Sequence, residues 1–117
     1  MTVAETVRGT QSASDLISQL NLVAEAATTL RDRAVAALSA KLASGGKIDN
    51  AALEREQHAA HGLAWIATYV EALRQIADYA KRLDGEGRFG EIEALLCQIG
   101  GAEYAVQLMG GVVMSQN

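Results

Sequence analysis

Apolar residues recur along this chain in alternating steps of four and three, the spacing of one face of an α-helix. From Leu16 the series runs through Leu20, Val23, Ala27, Leu30, Ala34 and Ala37, with Leu38 beside the last. It predicts a first helix over about 15–43. Ser12 or Ser14 can cap it, because a serine oxygen accepts from an orphan N–H of the first turn. "ASGGKIDN" ends it, with Gly45 or Gly46 suited to the left-handed conformation of a C-terminal cap. Residues 1–14, "MTVAETVRGTQSAS", carry no such period and read as a polar, mobile lead-in.

A second helix is predicted over about 51–83, capped by Asp49 or Asn50. One stripe is Ala59, Leu63, Ile66, Val70, Leu73, Ala77 and Ala80. A second, offset stripe is His58, His61, Trp65, Tyr69, Ala72, Ile76 and Tyr79. Two such faces on one helix mean two neighbours, so this is the central helix. "DGEGRFG" is a turn, and a third helix follows over about 90–114. Its large stripe is Ile92, Leu95, Ile99, Ala102, Val106, Met109 and Val113, while Ala94, Cys97, Gly101 and Ala105 form a stripe of small residues. The period passes unbroken through Gly100-Gly101 and weakens at Gly110-Gly111. The large stripe is expected to face the chain's own core. The small one is then left as a close-contact face for a partner or a flat ligand, together with Trp65 and Tyr69.

The fold class that follows is all-α: an elongated bundle of three long helices in a single domain over 15–117, completed by dimerisation. A thirty-residue helix is about 45 Å long, and three of them leave apolar surface to cover. The chain stops at "VVMSQN" without a cap, as though cut from something longer.

Composition narrows the function classes. The absence of proline suits long helices. A net charge of −4, with no more than two basic residues adjacent, argues against a nucleic-acid partner. No apolar run is long enough to span a membrane, the N-terminus lacks signal-peptide character, and a single cysteine suits the cytoplasm.

Little chemistry is on offer. His58 and His61 lie three apart, with Glu54 four residues earlier, but two histidines are thin for a metal site. No Cys-x-x-Cys-His attaches a haem, although Met109 and Met114 are available in the third helix. Cys97 sits among small apolar residues and reads as an inert hydrophobe. Glu103, beside Tyr104, could act as a base only if it bordered a cavity. "GGKI" lacks the strand and the spacing of a phosphate loop.

The segments "AWIATYVEALRQIADYAKRL" and "GRFGEIEALLCQIGGAEYAVQLMGGVVMSQN" resemble the N-terminal helical region of bacterial FadE-like acyl-CoA dehydrogenases. The specific elements are "EALRQ", "GRFGEIEALL" and the series "EY", "QL", "GG", "MSQ", and the resemblance covers most of the chain from Asp15 onward. It implies an FAD enzyme that oxidises acyl-CoA thioesters between the α and β carbons with a glutamate base. The flavin-binding and catalytic domains of such an enzyme would lie beyond Asn117, so no catalytic or FAD-binding residue carries over. The fragment alone is expected not to dehydrogenate anything. The chain departs from the family pattern with Gly101 for Phe, Ala105 for Leu and Val113 for Pro. Each uncompensated large-to-small change costs roughly 2–5 kcal/mol, so a partner helix or a bound molecule is expected to fill the space. The expectations are therefore an excised, engineered scaffold that self-associates or docks on adjoining domains of a parent chain, or alternatively a bundle holding a small hydrophobic ligand.

Overall fold

The computed structural model describes residues 12–110, which form four helices and one short ribbon. They are α1 (Ala13–Leu42), β1 (Ala43–Ser44), β2 (Lys47–Ile48), α2 (Asn50–Arg55), α3 (Gln57–Gly85) and α4 (Glu91–Met109). α1 starts two residues before the predicted boundary because Ser12 is the cap, its Oγ accepting from the Asp15 N–H at 3.2 Å. The rest of the expected lead-in, residues 1–11, lies outside the described residues.

The end of α1 differs from expectation. Ala43 leaves the helix in an extended conformation, and the left-handed glycines come two residues later, Gly45 at φ 59° and Gly46 at φ 80°. Two consecutive positive-φ residues between the paired Ser44 and Lys47 make a two-residue hairpin turn, whose twist matches that of the flanking strands. Glycine is needed here for a hairpin, not for a helix cap.

The predicted second helix is broken. Glu56, at φ −106° and ψ 21°, closes α2 and opens α3. Asp49 caps α2, its carboxylate accepting from the Ala51 N–H at 3.1 Å. Neither glycine nor proline marks the break. Its effect is that α2 keeps contact with α1, with Ala52 buried. At the other end of the chain, Gly90 N–H donates to the Glu93 carboxylate at 3.0 Å and starts α4. Gly110 closes α4, its N–H donating to the Val106 carbonyl at 2.8 Å. The expected continuation through Val113 and Met114 lies outside the described residues.

The core has two neighbouring clusters. Leu16, Leu20 and Ala24 of α1 pack with Ala77 and Ala80 of α3 and Cys97 of α4. Further along, Ala27 packs with Val70 and Leu73, and Tyr104 and Leu108 close over them. These contacts run α1 and α3 antiparallel, α3 and α4 antiparallel, and α4 parallel to α1. α3 is central, as its two stripes require. The buried line of α1 is Leu16, Leu20, Ala24 and Ala27, whereas Val23 and Leu30 of the predicted stripe are exposed. The radius of gyration is 18.4 Å, against about 13 Å for a compact domain of roughly 100 residues. The bundle is elongated.

Candidate functional site

α4 carries little charge along most of its length. Between Ala94 and Met109 its only charged residue is Glu103. Helices of that composition are normally surrounded. Here one side alone is covered. Cys97 is 3% exposed and Gly101 is buried, while Ala94 and Ala105 are half-buried. The large residues point outward: Ile92, Leu95, Leu96, Ile99, Val106 and Met109 are all exposed, Ile99 at 66% and Met109 at 86%.

This reverses the orientation expected from sequence. The small stripe faces the chain's own core, and the large stripe is left for something else. Gly101 explains why. A Cβ built there would stand 2.9 Å from Leu20 Cδ2 of α1. The neighbouring Gly100 does the same for α3, where a Cβ would stand 3.1 Å from Ile76 Cδ1. Successive residues of a helix point about 100° apart, so the glycine pair seats α4 between its two neighbours. At Gly101 the near neighbour is therefore Leu20 of the same chain.

Trp65 and Tyr69 do not join that face. They belong to a row of rings along α3, with centroids 5.7 Å apart, and Tyr69 continues to Tyr104 of α4 at 5.5 Å. His61 begins the row, its Nε2 accepting from the Trp65 indole N–H at 3.2 Å. That bond requires Nε2 unprotonated. His58 is exposed, Glu54 sits on α2 beyond the break, and among the described residues no three His, Cys, Asp or Glu side chains gather to hold a metal.

The remaining chemistry is sparse. Burial, and secondarily the Glu93 carboxylate, pushes the Cys97 thiol above its ordinary value of 9.0, which makes it a poorer nucleophile. Glu103 is exposed on the outer side of α4. A hollow of about 580 Å³ lies between α1 and α3 and includes no residue of α4. Its two arginines are engaged with acids, Arg31 with Asp32 at 3.0 Å and Arg74 with Glu71 at 3.7 Å. Two apolar hollows follow the groove between α1 and α4, about 230 Å³ over Gly101 and about 300 Å³ beside Leu108, and meet at Val23 and Ala105. Both are open to solvent. Among the described residues no polar side chain is buried.

No family model matches the chain. Over 104 residues, however, it is 47% identical to a (2S)-methylsuccinyl-CoA dehydrogenase of Cereibacter sphaeroides. The chain is homologous to part of an acyl-CoA dehydrogenase. The matched segment is 89% of this chain but only 18% of the relative's length, so most of that enzyme has no counterpart in these 117 residues. The homology agrees with the resemblance carried by "EALRQ" and "GRFGEIEALL", which lie on α3 and on the turn into α4. Sequence reasoning missed the outer face of α4 as the exposed one. The signal that could have found it was the near absence of charge around the whole helix.

Proposed function

We propose that this chain is a non-catalytic association domain of an acyl-CoA dehydrogenase-type protein, joining two copies of the polypeptide that carries it. The observation behind this reading is α4, which carries little charge along most of its length and is covered on one side. Water against its large aliphatic residues is unfavourable by roughly 25 cal/mol per Å² of apolar surface, so covering the outer face supplies the drive for association. A longer protein carrying this domain would take its acyl-CoA chemistry and its FAD from parts outside these residues. Its compartment would be the cytoplasm, and an engineered scaffold would use the same face.

A second reading is favoured by the groove between α1 and α4, whose two apolar hollows could take a small hydrophobic ligand. Native mass spectrometry of protein purified without added ligand separates the two. The association role predicts a dimer mass with nothing bound. A monomer that retains a small molecule would favour the groove. Reduction of an electron acceptor by the isolated chain in the presence of an acyl-CoA would overturn the non-catalytic role altogether.

A further inference from the structure

The outer face of α4 also has a direction, and resting on the association role proposed above, we infer that two copies pair through it antiparallel, about a two-fold axis at Ile99. The exposed residues Ile92, Leu95, Leu96, Ile99, Val106 and Met109 present on the order of 700 Å², close to the roughly 800 Å² per partner of a standard interface. Their helical spacing puts Ile92, Ile99 and Val106 along the middle of the face, with Leu95 and Ala102 on one flank and Leu96 and Glu103 on the other.

That arrangement is its own complement when one copy is reversed. With Ile99 against its counterpart, Ile92 meets Val106, and Leu95 falls over Ala102, large against small. Leu96 lies beside the stem of Glu103, whose carboxylate stays at the rim. A two-fold contact of this kind uses the same patch on both chains.

Charge selects the direction. α4 carries Glu91 and Glu93 in its first turn and Glu103 further on, with no basic residue. Glu93 faces inward, capping the Gly90 N–H, so the exposed charge beside the middle of the face is Glu103, and parallel pairing would set it beside its own copy. Antiparallel pairing at Ile99 keeps the two Glu103 carboxylates apart along the helix axis by about 12 Å, at 1.5 Å per residue. It also opposes the two helix dipoles.

Variants of the full chain with one added cysteine test the geometry: Ile92→Cys, Ile99→Cys and Val106→Cys, oxidised with copper-phenanthroline and read on a denaturing gel. All three positions are exposed, so the fold does not depend on them. The native Cys97 is buried and serves as the unreactive control. Ile99→Cys alone should form a covalent dimer. Ile92→Cys and Val106→Cys should each stay uncrosslinked alone and link when mixed. Self-linking of Ile92→Cys and of Val106→Cys would mean parallel pairing and overturn the inference while leaving the association role intact. A dimer in light scattering that no variant crosslinks would likewise place the contact elsewhere. A wild-type chain that stays monomeric, or that binds only an acyl-CoA dehydrogenase flavoprotein, would overturn both the inference and the self-association on which it rests.

Discussion

At Gly100 and Gly101 the chain gives up helix propensity twice in succession, about 1 kcal/mol each relative to alanine. The return is closeness. A Cβ would stand 2.9 Å from Leu20 Cδ2 at Gly101 and 3.1 Å from Ile76 Cδ1 at Gly100, and dispersion contacts at such close approach are individually small but numerous. Gly62 of α3 is different: no atom lies within 4 Å of a Cβ built there. The two sites should therefore respond oppositely. Gly62→Ala should raise stability by about 1 kcal/mol. Gly101→Leu should lower it by about 1–3 kcal/mol through overpacking against Leu20. Urea denaturation of both variants checks this, and a stabilised Gly101→Leu would mean that α4 is not seated on Leu20. Cys97 supplies a pH signature. Because burial raises its thiol value, the folded chain binds that proton more tightly than the unfolded chain. The resulting stability is fully present below the ordinary thiol range and is lost as pH rises through the raised folded value. Denaturation midpoints should fall on the alkaline side in wild type and fall less in Cys97→Ala.

At the scale of elements, periodicity located the long helices but not their breaks or their facing. The stripes of α3 were legible because large residues alternate cleanly with polar ones, and Val70, Leu73, Ala77 and Ala80 are buried as that pattern requires. The division at Glu56 was not legible, since the residues around it are ordinary helix formers with no glycine or proline. The two hairpin glycines were recognised as left-handed, yet a helix cap and a hairpin turn ask for the same residue. α4 was misread for a physical reason. A helix lying between two others can approach closely only through small residues, so the side that looks poorest in apolar area is the buried one. Large residues mark the core of a helix only when its opposite side is polar, and around α4 there is too little charge to define a solvent side.

Over the whole molecule, the three long helices α1, α3 and α4 run up, down and up across 64 × 32 × 17 Å. α1 and α3 extend past the end of α4, where an apolar hollow of about 300 Å³ opens among Ala34, Leu38, Gly62, Leu63 and Ile66. The chain is homologous to part of a much longer acyl-CoA dehydrogenase. On the proposed role, two copies meet at the outer face of α4. Sedimentation velocity of wild type beside Ile99→Lys tests this. Ile99 is exposed within one copy, so the substitution leaves the fold intact, with helical circular dichroism as the control. Wild type should sediment as a dimer at micromolar concentration and Ile99→Lys as a folded monomer. A monomeric wild type, or a variant that remains dimeric, would contradict the account.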